Sequence, residues 1–332
     1  MLLSKSSLSL CILIHLTCTA ATIATSQPLD PSTTSEQHQY HTDHDTAYWA
    51  VCAAVKDHPL NIKEWVEYHA ALGVGKFYLM DTDDPDPSPI AKTLLPHIAS
   101  GLVELYPLPR VNPQTINLLQ VRLYDICLNS VRDRHAFIGF WDVDEFIVPI
   151  DPTITNIPTF LKQYNYENSG GLVVGWRIVG PSGHIRAPPA GTVLSSFTRC
   201  TPWDWPDNQE VKTVAANTKY ALHPTSDPHT FEYNKTAMRS PPKDASGNVV
   251  SGQKNPLIKE DWKMHRRPPK LALYHYVTKS RQEFVDKVKR GSGMGNRKDV
   301  AFFERIEAAS GEGCMEAVEA CRRFGTIDHC VV

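Results

Sequence analysis

The sequence carries little net charge and lacks the common nucleotide-binding loops. Its 332 residues have a formal net charge of −2 at pH 7, which gives no reason to expect nucleic-acid binding. No Walker-type loop and no Gly-x-Gly-x-x-Gly segment precedes a helix, and the glycine-rich residues 291–295 do not have the spacing of a dinucleotide fingerprint. With 42% hydrophobic residues, the chain is long enough for one large α/β domain or two small ones.

Cysteine pairs of the Cys-x-x-Cys type are absent, which removes the usual signature of a structural zinc site. Six cysteines follow the N-terminal segment, and an even number permits three disulfide bridges in an oxidising compartment. Three of them fall in the last 19 residues, which predicts a C-terminal tail fastened to the domain. At Cys52 a buried thiol is the alternative, because it lies in an apolar segment. The six are Cys52, Cys127, Cys200, Cys314, Cys321 and Cys330.

The N-terminus has the composition of a targeting segment. Residues 1–25 contain Lys5 followed by a mostly apolar run, which predicts a signal peptide or a signal anchor. Residues 26–46 are rich in Pro, Ser, Thr, His and Asp and predict a disordered stalk, which leaves 47–332 as the folded domain. We therefore expect a protein of the secretory pathway, either secreted or held in the Golgi lumen as a type II membrane protein. The sequon at Asn234 fits a glycoprotein exposed to that lumen.

The most informative segment joins a strand to a group of carboxylates. The apolar run 136–141 predicts a buried strand, and it ends in Asp142 and Asp144 with Glu145 beside them. Carboxylates without a partner are costly to bury, so this group needs a compensating charge. Ions of the Mg²⁺ type bind one or two protein carboxylates and substrate phosphates. Because ligands of open α/β sheets bind beyond the carboxyl ends of the strands, the pattern predicts a metal–diphosphate site.

Three other interpretations compete with that prediction. Asp is common where a strand turns into a loop, for reasons of turn geometry alone. An EF-hand loop needs an oxygen ligand at its fifth position, where this chain has Phe146, so that interpretation fails. A phosphohydrolase with Asp142 as nucleophile also places Asp-x-Asp after a strand. It usually has a small hydroxyl residue where Phe146 stands, and its motif lies near the start of the domain.

Strand and helix patterns alternate through the first half of the chain. Asn61 begins a helix with Trp65 and His69 on one face, and Pro113 begins a longer one with Ile126 on its buried face. This βαβ alternation predicts an α/β fold with a mostly parallel sheet flanked by helices. In the less regular second half, Ser280 opens a helix through a capping box, with Phe284, Val285 and Val288 on its buried side.

Four segments, in order, resemble glycosyltransferase family 92 and the related family-2-like transferases. The first joins Asp57 to 64–69 and 72–79, the second is 140–149, the third combines 180–184, 211–213 and 229–231, and the fourth runs over 275–291. Together they cover roughly residues 48–310. The resemblance implies a glycosyltransferase-A-like fold, a nucleotide-sugar donor, Mn²⁺ and inversion at the anomeric carbon. Some such relatives transfer galactose from UDP-galactose onto glycans.

This resemblance and the positions of the strand ends give candidate roles to individual residues. Asp142 and Asp144 are expected to bind Mn²⁺ or Mg²⁺, and the resemblance adds His275 as a third ligand. The alternative for His275 is a histidine of the core on an apolar strand. Isolated lysines and arginines are more often solvated surface cations, and Asp81 also fits a polar turn. The candidate donor-binding residues are Asp57, Asp81, Glu145, Lys212, Lys279 and Arg290.

Inversion also needs a general base within reach of the acceptor hydroxyl. The second half offers four carboxylates, at Asp204, Asp207, Glu210 and Asp261, and the sequence does not choose between them. Asp204 stands between two tryptophans, whose faces suit sugar rings or equally anchor a loop. We take Asp204 and Asp261 as the candidate bases.

The sequence thus predicts a metal-dependent glycosyltransferase, specifically a hexosyltransferase, that moves a sugar from a UDP-linked donor to a glycan acceptor. The resemblance makes galactose one candidate for that sugar, and the sequence does not choose the sugar, the acceptor or the linkage. A phosphohydrolase acting through Asp142 is one alternative. A carbohydrate-binding protein that keeps the fold without catalysis is the other, and it predicts glycan binding without metal or nucleotide.

Overall fold

The computed structural model describes residues 43–56, 61–82, 88–108, 119–188, 192–252, 254, 267–291 and 298–325. The predicted leader and most of the predicted stalk, together with Asp57 and Asp261, lie outside these ranges. The described fold begins at Asp43, where Asp45 of a short 3₁₀ helix lies 2.8 Å from the Lys76 ammonium. The last residues assigned to the stalk therefore contact the domain.

An eight-stranded sheet forms the centre of the fold, in the order β3-β2-β1-β4-β8-β6-β11-β5. In that sheet β1, β2, β3, β4, β6 and β11 share one direction, and β5 and β8 run against it. The described strands are β1 Trp49–Val55, β2 Lys76–Asp81, β3 Val103–Pro107, β4 Phe137–Phe140, β5 Glu145–Pro149, β6 Gly171–Ile178, β7 Arg199–Cys200, β8 Val211–Asn217, β9 Ala221–Pro224, β10 Phe231–Tyr233, β11 Leu271–His275 and β12 Glu312–Gly313.

Helices cover both faces of this sheet. The described α-helices are α1 Ile62–Ala71, α2 Pro89–Thr93, α3 Leu95–Ala99, α4 Leu119–Val131, α5 Ile157–Gln163, α6 Val193–Ser196, α7 Arg281–Arg290, α8 Val300–Ala309 and α9 Met315–Phe324. Strand β1 shows why two layers form, because its side chains alternate between the faces. Trp49 and Val51 join a core that includes α1 and α9, whereas Ala50 and Cys52 join one that includes α4.

This architecture confirms the predicted α/β fold, with its mostly parallel sheet flanked by helices. The two reversed strands of the sheet were not predicted. Strand β8 is buried along its whole length although it contains Lys212 and Asn217. These polar residues interrupt the hydrophobic pattern by which a buried strand is predicted. Strand β5 begins at Glu145, directly after the two aspartates. Because three acidic residues stand at this point, the sequence pattern does not indicate that a strand starts there.

Disulfide bonds fasten distant parts of the chain to this frame. Cys52 of β1 is bonded to Cys127 of α4, so the alternative of a buried thiol at Cys52 is wrong. Cys200 of β7 is bonded to Cys314, just before α9, which confirms that the C-terminal segment is fastened to the domain. Cys321 is disulfide-bonded as well. These bonds fit the predicted oxidising compartment.

Two expected core positions lie at the surface. Ile126 is 51% exposed, because the buried stripe of α4 runs through Leu123, Cys127 and Leu128 and leaves Ile126 on its outer flank. Val288 is 41% exposed for a similar reason, since Phe284 is the side chain of α7 that enters the core. Within the ranges described above, no helix combines the length and apolar character needed to cross a bilayer.

Candidate functional site

One edge of the sheet gathers the side chains that the sequence marked. Strands β4, β6 and β11 end at this edge, and the reversed strands β5 and β8 begin there. As a result the turn after β4 lies beside the start of β8 and the end of β11. Asp142, Asp144, Glu145, Lys212 and His275 come together in this way although up to 133 positions (275 − 142) separate them in the chain.

A glycine and a tryptophan fix the path of the chain into the turn. The Trp141 ring packs over Gly139, where a Cβ atom would lie 2.2 Å from that ring and 2.4 Å from the Val214 carbonyl oxygen. The ring also contacts Trp49 and Trp65. Because glycine has no Cβ atom, the Trp141 ring can pack directly against residue 139. Strand β4 can therefore end with Trp141 buried and Asp142 directed to the edge of the sheet.

Hydrogen bonds hold the turn between β4 and β5 in one shape. The Asp142 backbone N–H donates to Glu145 Oε2 at 2.9 Å, and the Glu145 N–H donates to the Asp142 carbonyl oxygen at 3.0 Å. The Asp144 carbonyl oxygen accepts from Tyr276 N–H at 2.9 Å, and the Glu145 carbonyl oxygen accepts from Trp65 Nε1 at 2.8 Å. The carboxylates are therefore presented by a rigid segment.

Asp142 is surrounded by hydrogen-bond donors. Its Oδ1 accepts from Gln120 Nε2 and from the Tyr124 hydroxyl, both on α4, and its Oδ2 lies 3.0 Å from Lys212 Nζ. Burial is the largest influence on the pKa of Asp142 and would raise it, but the charge and the hydrogen bond of Lys212 act in the opposite direction, and the pKa lies below its ordinary value. Asp142 is thus an anion with a permanent cationic neighbour.

Asp144 pairs with a different lysine. Its Oδ2 accepts from Lys287 Nζ of α7 at 2.5 Å, and its Oδ1 lies 3.8 Å from His275 Nε2. Burial opposes ionisation here too, yet Lys287, with a further contribution from Lys279, holds the pKa of Asp144 well below its usual range. The two aspartates are therefore neutralised separately, one by β8 and the other by α7.

Glu145 is fully buried behind the two aspartates. Burial raises its pKa to about 8, although Lys212, 3.8 Å away, acts in the opposite direction. Its Oε1 lies 3.8 Å from His275 Nδ1, and neither of these two atoms has a hydrogen-bond partner among the described residues. Since Glu145 Oε2 accepts from the Asp142 N–H, this side chain orients the turn.

His275 closes the site from β11. Its ring packs against the Trp176 ring with centroids 4.4 Å apart, and its side chain is 7% exposed. Burial lowers the pKa of His275 well below its ordinary value, so the imidazole is neutral at pH 7. A neutral imidazole with an available nitrogen is the form that binds metal ions.

Additional lysines surround Asp144. Lys279 precedes the helix cap at Ser280 and holds a left-handed backbone conformation, with φ of +49°. Burial lowers the pKa of Lys279, and Asp144 acts in the opposite direction. At Lys298, burial and the charge of Lys287 lower the pKa to about 7. Lys279, which was predicted to contact the donor, therefore lies with Lys287 and Lys298 in a group of cationic side chains around Asp144.

The remaining predicted residues are placed differently. Asp81 ends β2, two strands away from β4, and accepts a hydrogen bond of 2.6 Å from the Ser88 hydroxyl. Asp204 lies in a turn whose tryptophans are engaged by arginines, with Arg177 3.8 Å from the Trp203 ring centroid. Asp57, Asp261 and the side chain of Arg290 lie outside the described residues.

Three residues that contact the aspartates were not chosen from the sequence. Gln120 and Tyr124 are four residues apart on α4, so they share one helix face, and this spacing was the available signal. Lys287 was noted only within the resemblance. Nothing local distinguishes it from Lys289, which is two residues away on the same helix and remains exposed.

The described side chains at this edge do not form a complete set of metal ligands. Among the described residues, no group of three or more His, Cys, Asp or Glu side chains is arranged to hold an ion. Asp144 Oδ1 and His275 Nε2, 3.8 Å apart, fit two positions on one ion, because ligands of an octahedral ion lie about 3 to 4 Å from each other. The oxygen and nitrogen donors suit Mn²⁺, and water and substrate would supply the other positions.

Comparison with known proteins identifies the family. Residues 49–284 match the sequence pattern of glycosyltransferase family 92, which is more than half of the chain. The chain belongs to glycosyltransferase family 92. The predicted enzyme class, a glycosyltransferase, is that of this family. The matched residues include both aspartates, Lys212 and His275, whereas Lys287 lies just beyond them.

Curated relatives of family 92 resemble part of the chain. A glycosyltransferase family 92 protein of Ricinus communis is 28% identical over 154 residues, which is 45% of this chain and 26% of the relative. One from Oryza sativa subsp. japonica is 26% identical over 151 residues, with 45% and 24% covered. The match thus spans about a quarter of each relative's length.

Among solved structures, S. aureus TarS residues 1–349 in complex with UDP overlaps with this chain with a TM-score of 0.32 at 14% sequence identity. The overlap covers 51% of this chain and 46% of the TarS chain.

Proposed function

We propose that this protein is a metal-dependent glycosyltransferase that moves a hexose from a UDP-linked donor to a glycan acceptor with inversion. Galactose is the sugar that we expect. The proposal places the enzyme in the Golgi lumen or among secreted proteins, in keeping with its disulfide bonds. It depends on membership of family 92 together with the charge arrangement at the edge of the sheet.

The observation that carries the proposal is the separate pairing of two neighbouring aspartates with two lysines. Asp142 lies against Lys212 and Asp144 against Lys287, at 3.0 and 2.5 Å. Glycosyl transfer from a nucleoside diphosphate develops negative charge on the leaving diphosphate. A site of this kind offers carboxylates for a cation and ammonium groups for phosphate oxygens within a few ångströms of each other.

Each residue of the site then has a distinct role. When bound, Mn²⁺ or Mg²⁺ would act as a Lewis acid on the diphosphate, held by Asp142, Asp144 and His275. Lys279 binds a phosphate oxygen, Lys212 keeps Asp142 ionised in its buried position, and the buried Glu145 keeps the turn in shape. Asp57, Asp81 and Arg290 keep their proposed roles in donor binding.

The general base requires a carboxylate on the acceptor side, and Glu210 has the best support. It precedes Lys212 by two residues in an extended segment, so both side chains project from the same face. Its carbonyl oxygen accepts from Trp176 N–H at 2.8 Å, next to the ring that covers His275. Burial raises the pKa of Glu210, even though Lys254 acts in the opposite direction from 3.3 Å. Asp204 and Asp261 remain alternatives.

A thermal-shift panel with UDP, GDP, CMP and ADP, each with and without Mn²⁺, tests this proposal. A ligand that binds only the folded state raises the melting temperature by mass action. We expect UDP to raise it only when Mn²⁺ is present, and UDP-galactose to behave in the same way. A shift with a different nucleotide would contradict the UDP assignment and name another donor class.

The same panel separates the alternatives. No shift with any nucleotide, combined with phosphate release from generic esters, would favour the phosphohydrolase that uses Asp142. Glycan binding without metal or nucleotide would favour the non-catalytic carbohydrate-binding protein. As a control for the site, Asp142→Asn should remove the shift, whereas Asp286→Asn, on the exposed side of α7, should retain it.

A further inference from the structure

The two lysines that pair with the aspartates differ in how firmly they are held. Lys212 lies within β8, its side chain is 1% exposed, and it contacts both Asp142 and Glu145. Lys287 extends from α7, and its side chain is 28% exposed. Apart from Asp144, its ammonium donates only to the Val277 carbonyl oxygen, at 3.2 Å, among the described residues. Lys212 is therefore a fixed part of the core, whereas Lys287 has an open path to another partner.

Each of the two aspartate–lysine ion pairs is neutral before any ligand is present. Two aspartate anions face two ammonium groups, so a divalent cation that binds alone must compete with Lys287 for Asp144. A nucleoside diphosphate that binds alone would place two or more negative charges beside these carboxylates. When both ligands enter together, their charges offset each other, and the released ammonium gains the diphosphate as its partner.

The surroundings of Lys287 favour an anionic ligand. Lys279 and Lys298 lie close enough to act on Asp144, and the charge of Lys287 disfavours the charged form of both. In the part of the chain that the structure describes, no three side chains form a metal site by themselves, so a bound cation has positions that the donor's phosphate oxygens can fill in place of water. Both observations point to joint binding.

Resting on the proposed function, we infer that Lys287 is an exchangeable counter-ion, which neutralises Asp144 in the free protein and transfers to the donor's diphosphate when a divalent cation takes its place. Lys287 thereby makes the binding of the cation and of the nucleoside diphosphate depend on each other. By thermodynamic linkage, each ligand then raises the affinity of the other by the same factor. Lys212 stays on Asp142 throughout.

The experiment measures this linkage directly in the purified full chain. Electron paramagnetic resonance of free Mn²⁺ gives the Mn²⁺ affinity with and without saturating UDP, and calorimetry gives the UDP affinity with and without Mn²⁺. In the natural protein we expect UDP to tighten Mn²⁺ binding at least tenfold. In Lys287→Met, we expect Mn²⁺ alone to bind at least fivefold tighter than in the natural protein. UDP should bind more weakly in the presence of Mn²⁺, and the linkage factor should fall.

Three further variants control the result. Lys289→Met removes an exposed charge from the same helix and should leave the linkage unchanged. Lys287→Gln repeats the loss of charge if the methionine variant does not fold, and Lys287→Arg keeps the charge and should keep the linkage. If UDP and Mn²⁺ bind but Mn²⁺ affinity does not depend on UDP or on residue 287, the inference is wrong while the proposed function stands. If UDP does not bind with any cation, both are wrong.

Discussion

Lys212 Nζ lies 3.0 Å from Asp142 Oδ2 at a point where the lysine side chain is 1% exposed. Asp142 and Glu145 raise the pKa of Lys212 above its ordinary value although burial acts in the opposite direction. A lysine so deeply buried must keep a carboxylate partner, and the carboxylates must keep the lysine. This pair ties the stability of the sheet to the site at its edge.

Lys212→Met should therefore destabilise the fold. Removing one partner of a buried ion pair leaves an uncompensated charge and costs about 3–5 kcal/mol. Chemical denaturation at pH 7 gives the free energy of unfolding. The double variant Lys212→Met/Asp142→Asn should recover part of the loss, because it removes the stranded carboxylate charge. Equal stability of the natural protein and Lys212→Met would mean that the pair does not support the fold.

Asp144→Asn should weaken Mn²⁺-dependent UDP binding at least tenfold while the protein still folds, with some loss of stability because the ion pair with Lys287 is removed. The amide keeps the size of the side chain but loses the charge that a divalent cation requires. His275→Ala should also lower Mn²⁺ affinity, as expected for a ligand 3.8 Å from Asp144. Calorimetric titration with Asp286→Asn as control measures these effects. An unchanged Mn²⁺ titration in His275→Ala would return His275 to a purely structural role.

Glu210→Gln should lower the turnover of the donor while leaving UDP affinity in the presence of Mn²⁺ unchanged. Loss of a general base typically reduces the rate by about 10²- to 10⁴-fold. Release of UDP from UDP-galactose, with and without an acceptor, provides the measurement. Glu232→Gln on the exposed side of β10 is the matched control. If Asp204→Asn lowers turnover more than Glu210→Gln does, Asp204 and not Glu210 is the general base.

Stability should fall at acidic pH because of His69. This fully buried ring has Nδ1 2.8 Å from the Trp65 carbonyl oxygen, and its Nε2 accepts from the Ile147 N–H at 3.2 Å. Burial lowers its pKa from 6.5 to about 3, so its contribution is complete above pH 6.5 and is lost as pH falls toward 3. His69→Gln keeps an acceptor but does not titrate.

The measurement is the free energy of unfolding of both proteins between pH 7 and pH 4.5. We expect the natural protein to lose roughly 2 to 3 kcal/mol more than His69→Gln over this range. Parallel curves would mean that the pKa of His69 is the same in the folded and the unfolded protein, which would contradict this prediction.

Much of the frame follows from local pattern. The βαβ alternation, the buried strand before Asp142 and the capping box at Ser280 each depend on residues within a few positions of each other, and all three are present in the structure. Helix boundaries and the choice of buried faces were less accurate. Ile126 lies at the surface because the position of a helix against the sheet, and not its apolar content, decides which side is covered.

The sequence by itself determined the class of fold, the carboxylates at the strand end and the resemblance to a transferase family. Only the tertiary structure decided which cation meets which carboxylate. Lys212 reaches Asp142 because β8 is inserted in reverse beside β4, and Lys287 reaches Asp144 because α7 follows β11 at the same edge. Partners separated by 70 and 143 positions cannot be paired by local rules, because their energy depends on burial and distance that exist only after the sheet has formed.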